Sequence, residues 1–319
     1  MFIPVMLTTI IFSSSFNRNF IIETTSTEMG IITMTELTKK ISIRELTSVS
    51  KGQLGSDGDG VKLTRLIGNP ELNMLDPFLL LDLFESDQPN DYIGGFPDHP
   101  HRGFETVTYM LAGKMRHRDN AGNEGVISAN GVQWMTAGKG IVHSEMPEQE
   151  SGLLKGFQLW VNLPKTHKMT EPAYQEFPAN KLAMEYGDYG SEIRVISGKT
   201  NKGTKGPVVN THITPTYMDV SLPAGTNFEQ SLPMTDNAFI FVIEGSVTVG
   251  RTGKELQQNH LGILSKGDLV TITASTENSN FLLISGKPLN EDVARGGPFV
   301  MNTKAEVMQA FDDFQNNKF

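Results

Sequence analysis

The sequence predicts an all-β fold of two tandem β-sandwich barrels of the jelly-roll kind, with a short helix at the C-terminus. Three observations lead to it. Short β-branched or aromatic runs recur roughly every 8 to 12 residues, cut by Gly, Asn or Pro, which is the spacing of a sandwich or barrel. The second half of the chain repeats the first: YMLAG (109–113) matches FVIEG (241–245), and NGVQWMTA (130–137) matches KGDLVTITA (266–274). The offset is roughly 130 to 137 residues, and duplication of one barrel is its simplest cause. The closing stretch NTKAEVMQAFDDFQNNKF (302–319) has a different period, with Thr303 and Glu306 spaced as a capping box and Val307, Phe311 and Phe314 on one helical stripe.

The first 33 residues are Ile/Thr/Ser-rich, and the apolar run 1–12 resembles the core of a signal peptide. No Lys or Arg precedes it, Arg18 is its first basic residue, and no small-x-small cleavage site closes it. Residues 1–40 are therefore read as a leader, disordered or translated from a start upstream of Met29 or Met34. SKGQLGSDGDG (50–60) reads as a loop, and PFLLLDLFES (77–86) as a buried strand. GFETVTYML (103–111), KMRHRDN (114–120), GVISANGVQWMTAG (125–138), GIVHSEMP (140–147) and KGFQLWVNLP (155–164) complete a first barrel over 41–165. Residues 166–206 are expected to connect, with SGKTNKGTKGP (197–207) as a solvated loop. The second barrel, 207–319, then takes YMDVSL (217–222), NAFIFVIEG (237–245), SVTVG (246–250), LGILSKGDLVTITAS (261–275), NFLLISGK (280–287) and the terminal helix.

At 319 residues with 31 Gly and 16 Pro, the composition is that of a turn-rich globular protein. A formal charge of -9 argues against direct nucleic-acid binding, because phosphate contacts need clustered Lys and Arg. The chain has no cysteine, which removes disulfides, thiolate catalysis and cysteine-held metal clusters together. No apolar run approaches the roughly 18 residues of a membrane span.

Against that background the histidines stand out. The chain has only seven, and two of them, His99 and His101, are one residue apart. A strand alternates faces with period two, so both project the same way. His143 and Glu145 repeat the spacing 42 residues after His101. Four side chains converging from neighbouring strands would give an N3O set around one ion and leave two octahedral positions open. Glu105 shares the parity of His99 and His101 and is the alternative carboxylate ligand if no bulge intervenes, with a buried supporting role as its other reading. His117, His167, His212 and His260 lack a partner at strand spacing and are read as structural. Trp134 and Trp160 are read as packing, as are Phe96, Phe104 and Met110, with pocket lining as the other reading of those three.

The motifs GGFPDHPHRGFETVTY (94–109), QWMTAGKGIVHSEMP (133–147), FQLWVNLP (157–164) and GGPFVMNT (296–303) resemble those of the pirin family, a set of bicupins within the cupin superfamily. The resemblance runs from about Ser42 to the C-terminus. It implies two tandem cupin domains and a single mononuclear site in the N-terminal one, usually iron, held by His99, His101, His143 and Glu145. The C-terminal cupin is implied to be metal-free. The repeat offset sets Ser231, Pro233 and Asn237 against His99, His101 and Glu105, and Ser279 and Asn280 against His143, which is no imidazole cage.

Three neutral imidazoles and one carboxylate leave a divalent ion with a net charge near +1, suited to an enolate, a phenolate or dioxygen. The donor set suits Fe(II) and also admits Mn, Ni, Co, Cu or Zn. The resemblance implies a dioxygenase of quercetin-type flavonols or a related enol or phenol substrate, with Glu145 as the catalytic proton acceptor. The alternative is a metal-dependent redox-sensing regulator acting through a protein partner, and a cupin isomerase is a third reading. A cytoplasmic monomer with no nucleic-acid or membrane partner is expected.

Overall fold

Apolar residues fill both faces of the long central strands, and the assembly of the sheets explains why. The structure, a computed structural model, describes residues 41–210 and 212–319, so the leader expected at 1–40 lies outside the described residues. Residues Ile41–Phe319 form one compact unit holding two barrels of the same design.

In the first barrel a seven-stranded sheet runs in the order Ala173–Phe177, Val132–Thr136, Phe104–Ala112, Leu154–Asn162, Phe78–Ser86, Val61–Ile67 and Gln53–Asp57. A four-stranded sheet, Phe96–His101, Ile141–Pro147, Lys114–Asp119 and Glu124–Ser128, closes it. The second barrel repeats the seven and four. Its large sheet is Leu46–Ser50, Leu261–Leu264, Asn237–Glu244, Ser279–Gly286, Thr216–Leu222, Glu192–Ser197 and Ala183–Tyr186. Its small sheet is Asn227–Ser231, Leu269–Ala274, Ser246–Val249 and Lys254–Gln257. The chain is thus two tandem barrels of one design, as duplication predicts; YMLAG and FVIEG end equivalent strands, but the equivalent of Val132–Thr136 is Leu261–Leu264, so the expected match of NGVQWMTA to KGDLVTITA does not hold.

The two seven-stranded sheets share one core. Phe78 meets Phe239, Phe157 meets Phe241 and Tyr109 meets Tyr217, with ring centroids 5.4, 5.3 and 5.9 Å apart. The other face of each large sheet closes on its own small sheet, Phe84 and Met110 with Met115 and Ile127 in the first barrel, Ile240 and Leu283 with Val249 and Ile272 in the second. A strand buried on both faces carries no alternation, which is why FLLLDLF and FIFVI read as continuous apolar runs. Burying each such side chain contributes roughly 1.5–3 kcal/mol.

Several expectations are corrected. Within SKGQLGSDGDG (50–60), expected as a loop, Gln53–Asp57 is a strand paired with Val61–Ile67. All five of its residues are exposed, so an edge strand here leaves no apolar pattern to find. Leu46–Ser50 pairs with Leu261–Leu264, so the start of the expected first barrel serves the second. The expected connector 166–206 gives one strand, Ala173–Phe177, to the first barrel and two, Ala183–Tyr186 and Glu192–Ser197, to the second. The strand equivalent to Ile141–Pro147 is Leu269–Ala274, which lies between Asn227–Ser231 and Ser246–Val249. Ser279 and Asn280 sit on a different strand and are not counterparts of His143. At that place the second barrel sends Val270, Ile272 and Ala274 into an apolar core.

Helix α1 (Lys304–Gln315) starts at the expected capping box: Glu306 N–H donates to Thr303 Oγ1, and Thr303 N–H donates to Glu306 Oε2 at 2.8 Å. Val307 is buried, Phe311 packs on Phe299, and Phe314 lies at the edge of the same cluster. The helix rests on a hairpin of Ala294–Gly296 and Phe299–Met301. Arg102 of the first barrel pairs with Asp313 at 2.8 Å and lies 4.3 Å from the Phe319 ring, which fastens the C-terminus beside His101. Among the described residues no helix is long and apolar enough to cross a membrane.

Candidate metal centre

Two prolines, Pro97 and Pro100, fit the His99 strand only at a sheet edge, and Phe96–His101 is the edge strand of its four-stranded sheet. It pairs antiparallel with Ile141–Pro147, placing His143 opposite His99 and Ile141 opposite His101. Opposed residues share a face, so all three imidazoles enter the barrel together. One nitrogen from each lies within 4.8 Å of the others.

The hydrogen bonds decide what those nitrogens can do. His99 Nδ1 is 2.8 Å from Pro97 O, and His101 Nδ1 is 3.4 Å from Pro298 O. A carbonyl only accepts, so each Nδ1 carries the proton and each Nε2 presents a lone pair. Those two Nε2 atoms are 3.0 Å apart and cannot hydrogen-bond to one another as neutral rings. Neither nitrogen of His143, buried to 1% exposure, has any partner. Protonation does not resolve the conflict: burial, and then the neighbouring imidazole, hold His101 and His143 well below the usual histidine range. Adjacent nitrogens bound at about 2.1 Å to one ion stand about 3 Å apart, so the residues fit a divalent transition ion.

Glu145 lines the same cavity, two residues beyond His143 and on the same side of its strand. Thr108 Oγ1 donates to one carboxylate oxygen and Gln158 Nε2 to the other, both at 2.8 Å. It stands outside the trio of donor atoms that meet within 4.8 Å. Glu105 goes elsewhere. The strand breaks at Gly103, whose φ of +88° is left-handed and whose added Cβ would fall 2.0 Å from Val300 O, so the parity linking His101 to Glu105 does not hold. Glu105 is buried in the large sheet, accepting from Thr136 Oγ1 at 2.7 Å and Asn210 Nδ2 at 2.5 Å. Burial raises its pKa.

His117 pairs with Glu176 at 2.6 Å and stands opposite Glu145 across the small sheet. His167 and His212 do find a partner, each other, with ring centroids 4.2 Å apart, although their separation in sequence hides it.

Above the centre lies a cavity of about 870 Å³, lined by His99, His101, Glu145, Phe96, Gln158 and Trp160 among others. Phe96 is the one of the three aromatic and methionine candidates that reaches it. Trp160, expected to be packing, forms part of its wall, whereas Trp134 is core. The sequence reading missed Gln158 and Thr108, which hold Glu145, and the pair Arg65 and Asp82 at 2.8 Å. A signal was present in FQLWVNLP, where Gln158 and Trp160 share a face in an otherwise apolar strand.

Barrel, trio and cavity together define a bicupin that carries, among the described residues, one histidine cluster able to hold a metal ion. Residues 60–161 match the family model described as Pirin, and residues 217–319 match Pirin C-terminal cupin domain. The chain is 54% identical over 278 residues to a pirin-like protein of Caulobacter vibrioides, covering 87% of this chain and 99% of that one. It is 44% identical over 268 residues to pirin of Homo sapiens, covering 82% and 89%. A crystal structure of quercetin 2,3-dioxygenase from Acinetobacter baumannii superposes with a TM-score of 0.79 at 36% identity, covering 87% of this chain and 99% of that one. The chain belongs to the pirin family.

Proposed function

We propose that this protein is a mononuclear metal-dependent oxygenase acting on quercetin-type flavonols or a related enol or phenol. The observation that carries the reading is the pair of lone-pair-bearing Nε2 atoms 3.0 Å apart at the base of an open cavity. The likeness to the Acinetobacter structure named quercetin 2,3-dioxygenase supports it.

His99, His101 and His143 would hold the ion, with Glu145 as the fourth ligand or as the base beside it, and Fe(II) is the ion proposed. When bound, such an ion supplies a Lewis-acidic position for an ionised hydroxyl and an electron source for dioxygen. The chain's own groups do the rest. Glu145, held by Thr108 and Gln158, accepts the proton of the enolic hydroxyl. The flat walls of Phe96 and Trp160 orient a planar ring and keep water from its face.

Iron-loaded protein is expected to take up oxygen with quercetin, and a His101→Ala variant is not. A stoichiometrically loaded wild type that consumes no oxygen with any flavonol or enediol offered would overturn the oxygenase reading.

A further inference from the structure

The cavity holds two guanidinium groups, and they are not equivalent. Arg65 is ion-paired: its Nε and Nη2 bind Asp82 at 2.9 and 2.8 Å, and Nη2 also meets Asp57 at 2.9 Å. Arg295 has no ion pair among the described residues. Its one hydrogen bond is a long contact, 3.4 Å, to Leu79 O. Its guanidinium lies 4.9 Å from the centre of the Trp160 ring, whose other neighbours include the His101 imidazole at 5.1 Å. One indole therefore links the metal centre to an unpaired cation lining the same cavity.

Position adds to this. Arg295 stands on the hairpin that also carries Pro298, whose carbonyl orients His101, so the strand bearing it is placed relative to the site. The residue is exposed at the rim of the cavity, and its charge feels the Arg65 cation against the opposing carboxylates of Asp82 and Asp57. It stays charged at any physiological pH. A guanidinium stacked on an aromatic face keeps its N–H edge free for a carboxylate. Asp57, Asp59, Asp82, Asp98 and Glu145 also line the cavity, which disfavours a polyanion such as a nucleotide and restricts an anionic group to direct contact with Arg295.

We propose that Arg295 is the carboxylate-recognising group of this cavity, so that within the substrate class given above the histidine centre favours a planar enol or phenol carrying one carboxylate over an uncharged flavonol. The substrate half of this statement rests on the metal-dependent reading given above. The Arg295 contact itself does not.

Tryptophan fluorescence reads the binding, since Trp160 lies under Arg295. With zinc-loaded protein, 3,4-dihydroxybenzoate is expected to bind about tenfold tighter than catechol, the scale of one charge-assisted contact. Arg295→Gln should remove that preference and leave catechol unchanged, and Arg295→Lys should keep most of it. With metal stripped by a chelator, benzoate should still bind more tightly to wild type than to Arg295→Gln. Equal affinity for the two catechols in wild type, or an equal loss for both in Arg295→Gln, overturns the proposal. Binding of benzoate through Arg295 combined with catechol binding indifferent to metal would sink the metal-centre reading and leave this one standing.

Discussion

Replacing His143 with leucine tests the centre most sharply, because the expected effect changes sign with metal. His143 is 1% exposed, and both of its ring nitrogens lack partners. An unmet buried polar atom costs on the order of 1–3 kcal/mol, and leucine fills a similar volume without one. In chelator, His143→Leu should therefore melt at or above wild type, by roughly 2–4 °C for each kcal/mol gained. Metal at a hundredfold excess over its Kd stabilises wild type by about 2.7 kcal/mol. The variant, left with two imidazoles, should gain far less. Calorimetric melts with and without metal should thus reverse the order of the two proteins. A variant that melts well below wild type in chelator, or that keeps the full metal-induced shift, would show that His143 is an ordinary core histidine.

Two carboxylates separate in the same way. Glu145→Gln should weaken metal binding at least about tenfold in a competition titration, whereas Glu105→Gln, whose partners are Thr136 and Asn210 and none of the trio, should leave it within about twofold. Lys168 is 1% exposed and donates to Gly103 O, Asn162 Oδ1 and Val300 O at 2.8, 2.7 and 2.9 Å, and burial lowers its pKa to about 8. A lowered folded pKa means that the unfolded chain holds more protons between about 8 and the ordinary lysine value, so this group's stabilisation is absent below pH 8 and grows as pH rises through that window. The gain is up to about 3 kcal/mol. Urea titrations of wild type against Lys168→Met from pH 7.5 to 10.5 should show the difference widening, and a pH-independent difference would refute the shift.

The histidine trio was legible because strand parity is a local rule and both HxH and HxE obey it within one strand. Glu105 shows where that rule stops. Its parity was counted across Gly103, and a left-handed glycine against Val300 O resets the face. Strand existence was legible wherever a strand is buried, and Gln53–Asp57 was missed because an edge strand in solvent carries no apolar signal. The crossing of Leu46–Ser50 into the second barrel could not be read at all, because pairing with Leu261–Leu264 is a contact across more than 200 residues with no periodicity of its own. The partners of Glu145 were hidden for a related reason: Thr108 and Gln158 come from strands of the other sheet, and only the closed barrel brings them to one carboxylate.

The duplication did not leave an idle copy. Where the first barrel carries His143, the equivalent strand of the second carries Val270 and Ile272 in a continuous apolar core. Yet the segment that follows the second barrel's last sheet strand returns to the first. Its hairpin supplies Pro298, which fixes the His101 tautomer, and Arg295, which walls the cavity, while Asp313 and Phe319 clamp Arg102 next to His101. A barrel whose pocket is finished by its neighbour's tail is incomplete alone, since removing that tail strips His101 of its orienting acceptor and opens one wall of the cavity. The paired apolar sheets then have a function beyond stability: with Phe78 on Phe239 and Phe157 on Phe241 they hold the second barrel in register, and that register sets where the tail can land.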